Sequence, residues 1–147
     1  MFFEGAGRLL DAGVTIPHLH KGDPNRIVVE AYPGIIARTL IGCRSYKNDT
    51  KKKQTSDHFE ARLAILETLQ MQSPHCYGFA IEASKDLCDD PGADHLDALL
   101  CAVQAAWAWQ RRDKGFGVPL TVDAAEGWIA DPSVVEALER RCQSEKK

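Results

Sequence analysis

Residues Arg26–Tyr32 read RIVVEAY. Five of the seven are apolar, and Ile27, Val28 and Val29 are β-branched in a row. The run lies between a turn signal, Lys21-Gly22-Asp23-Pro24-Asn25, and Pro33. This pattern predicts a strand over Arg26–Tyr32. Ile27, Val29 and Ala31 then face one way, and Val28, Glu30 and Tyr32 the other. A strand this apolar belongs inside a sheet, so its backbone N–H and C=O groups require strands on both sides.

Working outward, the neighbours are helices. Phe2–Ala12 carries apolar residues at helical spacing and stops before Gly13. Pro33 opens a helix over Gly34–Ile41. Arg44–Gln54 reads as a polar loop. Ser56 is placed to cap a helix with Phe59, Leu63, Leu66 and Leu69 on one face. Tyr77–Ala83 alternates enough for a short strand or a helical turn, and Asp86–Ala93 is an acidic turn. Asp94–Arg112 is the strongest helix. Its face of Leu96, Leu99, Leu100, Val103, Ala106 and Trp107 is backed by an equally apolar Ala98, Cys101, Ala102, Ala105 and Trp109, which predicts burial on both sides. Asp131-Pro132 starts a last helix running to about Cys142, and 143–147 is a polar tail.

Helices around few strands imply an α/β layer fold. The chain is short of strands for that fold. The missing ones are expected from a second chain or from the rest of a longer domain, of which residues 1–142 form one portion.

The 147 residues carry a net charge of −3, with 44% hydrophobic and 27% charged residues. That composition excludes wholesale disorder and gives no global case for nucleic-acid binding. The longest apolar run, Ala98–Trp109, is too short for a membrane span. The five cysteines form no CxxC pair, and with no export signal the expectation is a cytoplasmic protein with reduced thiols. His18 and His20 alternate, but no third metal ligand accompanies them.

Three groups of residues carry chemistry. Asp94 and Asp97 open the long helix, about 60° apart around its axis and one turn apart along it. Two carboxylates so placed suit a hard cation such as Mg²⁺. On these residues alone capping is the commoner meaning, with Asp94 as N-cap and Asp97 three residues on. Glu30 is a charge within an apolar strand, which is costly unless paired, solvated or used. Arg44, Lys47, Lys51, Lys52 and Lys53 put five bases in ten residues, with Asp49 the one acid among them. They suit a solvated loop or a phosphate-contacting one, with Tyr46 available for stacking.

Taken in order, RIVVEAYPGIIARTLIGCRSYKND, ARLAILETL with Arg62, DHLDALLCAVQAAWAW and EGWIADP resemble the predicted RNase H-like nuclease family, long catalogued as a domain of unknown function. The likeness runs from about Phe2 to Pro132. It implies an RNase H-like α/β fold and metal-dependent phosphodiester hydrolysis with Mg²⁺ or Mn²⁺. Asp94 and Asp97 match the Asp-x-x-Asp that opens the superfamily's final helix, where it binds metal. Glu30 lies off the usual position of the strand-borne acid. The family's first strand supplies an essential Asp, and no segment of this chain matches it. The resemblance therefore implies the C-terminal portion of the domain, completed by an N-terminal half or by a partner copy. The alternative is a non-catalytic remnant that binds nucleic acid or protein.

Overall fold

The computed structural model describes residues 2–48, 50–119, 123 and 127–135, and of residues 2–4 and 51 the backbone only. The chain is mixed α/β and rich in helix. Helix α1 (Phe2–Asp11) leads into strand β1 (Val14–Thr15), which pairs in parallel with β2 (Asp23–Ile27). Helices α2 (Pro33–Ile41), α3 (Ser56–Cys76) and α4 (Asp94–Gln110) follow. Single 3-10 segments lie at Lys51–Lys53 and Lys85–Cys88, and Arg112–Gly117 is a 3-10 run kinked at the non-helical Lys114, Gly115 and Phe116. A helical turn at 132–135 begins the last predicted helix, whose remainder falls outside the described residues, as does the tail 143–147. Among the described residues no helix is long and apolar enough to cross a membrane.

The predicted strand is displaced. Pairing begins at Asp23, inside the expected turn, and ends at Ile27. A register irregularity between Val14 and Thr15 takes up the extra residues of β2, which is how Pro24 is accommodated without a ladder hydrogen bond. Residues 28–32 continue extended; Val28 N–H donates to Thr15 O at 2.9 Å, and among the described residues the one bridge beyond it is Glu30 to Ile129. Tyr77–Ala83 is not a strand: Tyr77 ends α3, and the residues after it form no ladder.

The core belongs to the helices. Ile36 and Ala37 of α2, Ile65 and Leu69 of α3, and Leu96, Leu100, Val103 and Trp107 of α4 interlock, joined by Tyr77 and Ala130. The α3 face is rotated from the expected one. Ala61, Arg62, Ile65, Leu66, Leu69 and Ser73 are buried, while Phe59 is partly exposed. The N-cap of α3 is Thr55, not Ser56; Thr55 N–H donates to His58 Nδ1 at 3.0 Å.

On α4 the face led by Leu96, Leu100 and Trp107 is buried. The opposite face is not: Ala98, Ala102 and Ala105 are exposed, and Trp109 is 55% exposed. Burial on both sides was expected because a helix apolar all round needs two covering layers. The described chain supplies one. Cys101, expected in the core, is half-buried on this open side.

Gln104 joins the helices to the extended segment. Its Oε1 accepts Tyr32 N–H at 2.8 Å, and its Nε2 donates to the buried Asp131 carboxylate at 2.9 Å. Asp131 also accepts from Ser133 N–H and Oγ–H, so the buried charge is hydrogen-bonded from two directions. On the strand side, α1, the 16–19 turn, residues 28–30 and Trp128 enclose an apolar groove of about 470 Å³.

Candidate nucleic-acid interface

Pro33 starts α2 because its fixed φ suits a first turn, and Tyr32 before it stays extended. The Tyr32 ring folds back over Gly34, where a Cβ would come within 3.1 Å of it. Helix α2 ends at Gly42, whose φ of 68° few other residues adopt, and the chain turns back towards α3 and α4.

Arg62 anchors the returning loop. It projects from α3, is 4% exposed, and donates from Nε to Cys88 O at 2.7 Å and from Nη1 to Tyr46 O at 3.0 Å. Its guanidinium lies 5.7 Å from the Phe59 ring centroid. Two carbonyls and an aromatic face thus receive the buried cation.

With its backbone held, Tyr46 turns its hydroxyl inward. It donates to Asp97 Oδ1 at 2.8 Å, while Lys47 Nζ donates to Asp97 Oδ2 at 2.6 Å. Both carboxylate oxygens are engaged, and the Asp97 side chain is only 17% exposed. Burial, then the hydrogen bond and charge of Asp97, push the Tyr46 phenol well above its usual range. Burial, then the Asp97 charge, likewise raise the Cys101 thiol one turn along.

The cap at α4 is neither of the expected aspartates. Ala93 occupies the N-cap position with φ 60° and no side-chain bond. Asp90 does the work from outside the helix. Its carboxylate accepts Gly92 N–H at 3.0 Å and Asp94 N–H at 2.7 Å. Those N–H donors hold its pKa below the usual aspartate value. Asp94 is therefore the first helical residue, exposed and without a capping role, and Asp97 is tied to the loop. An acid four residues ahead of Asp94, across Pro91-Gly92, is the signal that identifies Asp90.

Residues 32–47 enclose a pocket of about 270 Å³. Tyr32, Arg38, Arg44, Tyr46 and Lys47 line it, with Gly34 and Gly42. Three cations and two phenols share this wall, and no carboxylate lines it among the described residues. Arg44 is braced from behind: it donates to Asp57 O at 3.2 Å and approaches Glu60 at 3.6 Å. Sequence reading gave Tyr32, Arg38 and Arg62 no role here. The signals were present: a tyrosine directly before Pro-Gly, an arginine in the last turn of a Gly-ended helix, and an arginine within an apolar helix face.

The basic run is divided. Arg44, Tyr46 and Lys47 line the pocket; Lys52 and Lys53 stand exposed on the 3-10 turn, and Lys51 shares that turn by its backbone. Glu30 lies elsewhere, on the apolar groove, with its carboxylate against Gly127. Among the described residues no three His, Cys, Asp or Glu side chains converge on one point, so Glu30 does not join Asp94 and Asp97. As metal ligands these two offer hard oxygen donors of the right type, with Tyr46 and Lys47 on two of the four oxygens. No family model, no curated protein and no solved structure matches this chain.

Proposed function

We propose that the chain is the phosphate-contacting, C-terminal portion of an RNase H-like, divalent-metal-dependent nuclease of the cytoplasm. One observation carries the reading. Two segments fifty residues apart, the basic loop and the Asp-x-x-Asp helix start, meet through the Tyr46–Asp97 and Lys47–Asp97 bonds. A nuclease needs that neighbourhood: cations to seat the phosphate backbone and carboxylates beside it to hold Mg²⁺ or Mn²⁺. When bound, such an ion polarises the phosphate and lowers the pKa of water. This chain's share is positioning. Arg38, Arg44 and Lys47 would hold phosphate oxygens, Tyr32 and Tyr46 offer stacking faces, and Asp94 and Asp97 supply two ligands. Cys43 and Cys76, exposed and unpaired, suit a reducing compartment.

Fluorescence anisotropy with a labelled oligonucleotide over a salt series tests the phosphate contact. Arg38→Gln with Arg44→Gln should flatten the log–log salt slope by about 2 units. Lys51, Lys52 and Lys53 changed together to Gln should flatten it by roughly 2–3 units. Slopes unchanged in both variants would remove the interface from this face.

The second reading, a non-catalytic nucleic-acid-binding remnant, is favoured by the engagement of both Asp97 oxygens. Paramagnetic Mn²⁺ separates the two. Selective broadening around Asp94–Leu99, abolished by Asp97→Asn, supports metal ligation. Oligonucleotide binding without that broadening supports the remnant.

A further inference from the structure

The extended segment 28–32 is hydrogen-bonded along one edge. Val28 N–H donates to Thr15 O at 2.9 Å, Ala130 N–H donates to Glu30 O at 2.9 Å, and Tyr32 N–H donates to Gln104 at 2.8 Å. In extended chain, alternate residues present their N–H and C=O groups to opposite edges. Val29 and Ala31 therefore face the other edge, and among the described residues they have no hydrogen-bond partner there. The apolar groove lies beside this segment.

The groove is particular about what fills it. Its walls are aliphatic, from Ala6 and Leu9 of α1, Ile16, and Val28 and Val29. Glu30 is the one charged residue among the described residues lining it. Trp128 also lines it, and its indole N–H is a buried donor without an acceptor among the described residues. An occupant must then bring aliphatic bulk, backbone donors and acceptors in ladder register, an acceptor for Trp128, and positive charge near Glu30.

We infer that this edge and groove accept a β-strand from another polypeptide, an extended segment of about five residues with alternating aliphatic side chains and a cation within reach of Glu30. Added ladder bonds satisfy Val29 and Ala31, and the aliphatic side chains fill the groove. A second copy of this chain fits less well. Pairing the same edge of two copies about a twofold axis would bring a second Glu30, not a cation, to the groove. The inference shares with the proposed function the premise that this chain lacks strands, while the phosphate contact concerns a different pocket, so either can fail alone.

The test uses the full chain and a synthetic peptide, acetyl-Lys-Val-Thr-Val-Thr-Val-Lys-amide. Saturable NMR shifts are expected at the Val29 and Ala31 amides and at the Trp128 indole N–H. N-methylating the peptide's edge-facing amides keeps its apolar content, and should weaken binding at least tenfold. Ala6→Arg, which plugs the groove from α1, should do the same. Exchanging both peptide lysines for norleucine should cost about threefold in wild type and nothing in Glu30→Gln. The peptide variants leave the protein untouched, so a misfolded Ala6→Arg would not blunt the test. Absence of saturable shifts overturns the inference, as does equal binding of the N-methylated peptide. Sedimentation showing a dimer that Ala6→Arg dissociates would assign the groove to a second copy and overturn the choice of partner.

Discussion

Leu66, Leu69, Leu96 and Leu100 have no exposed surface, whereas Leu10 and Leu19 are each 49% exposed. The first four sit in the helical block of α2, α3 and α4; the last two sit on α1 and in the turn after β1. The two regions draw on the same kinds of residue and reach opposite outcomes. A helix satisfies its backbone internally, so three helices can bury their apolar stripes against one another without further help. A strand is satisfied only by its neighbours, and a two-stranded sheet is marginal in water. Apolar content alone therefore does not close a core. The backbone of each element decides how many partners it needs.

The sharpest way to break this contrast is to remove equal side chains from the two regions. Leu100→Ala should cost about 3–5 kcal/mol in urea unfolding, since the site is fully buried among α2, α3 and α4. Leu9→Ala, on the open groove, should cost under about 1 kcal/mol. Similar losses at both sites would mean the strand side is closed in solution. Next in size is the junction. Gln104→Ala strips an acceptor from Tyr32 N–H and a donor from buried Asp131, and should cost about 2–3 kcal/mol. Hydrogen exchange should show the Val29 and Ala31 amides opening with it, while α3 stays protected.

A smaller effect is expected at Tyr46→Phe, which removes one bond to a charged, half-screened acceptor. About 1 kcal/mol of stability should be lost, with Lys47 still on Asp97. The smallest is a matter of pH. The Asp90 pKa is lowered in the folded state, so its stabilisation is present above the ordinary 3.8 and disappears as pH falls through the folded value. Asp90→Asn does not titrate, and its single amide oxygen keeps one of the Gly92 and Asp94 N–H bonds, which Asp90 accepts on separate oxygens. Its melting temperature should fall less steeply than wild type below pH 4.

The helices were legible because their signals are local. Pro33 and Gly42 bound α2, and the Leu96–Leu100–Val103–Trp107 spacing marks the buried stripe of α4. The strand was legible in kind and misplaced in extent. Pairing depends on β1, and no property of RIVVEAY says that Thr15 will meet Ile27. Of the candidate site, Arg44, Tyr46, Lys47 and Asp97 stand out in the sequence as residue types, but the contact of Tyr46 and Lys47 with Asp97 does not. Asp97 looked like a cap because its spacing from Asp94 is the spacing of a cap. The partner that claims it arrives from fifty residues upstream, held there by Arg62, and no local pattern records that approach. The exposed second face of α4 was misread for a related reason: small alanines look the same in sequence whether a layer covers them or not.

Gln104 has a consequence for which substitutions the fold can absorb. Its planar amide accepts from Tyr32 N–H and donates to both Tyr32 O, at 3.4 Å, and Asp131. In that arrangement a side chain stands in for one residue of a neighbouring strand, reading donor and acceptor of Tyr32 together. Glutamate has the reach but no donor, and would set a second negative charge against Asp131. Lysine has the reach but no acceptor for Tyr32 N–H. Asparagine has both groups on a stem one carbon shorter. A saturation library at this position should thus return a nearly single-letter answer, set by geometry rather than by hydrophobicity or charge.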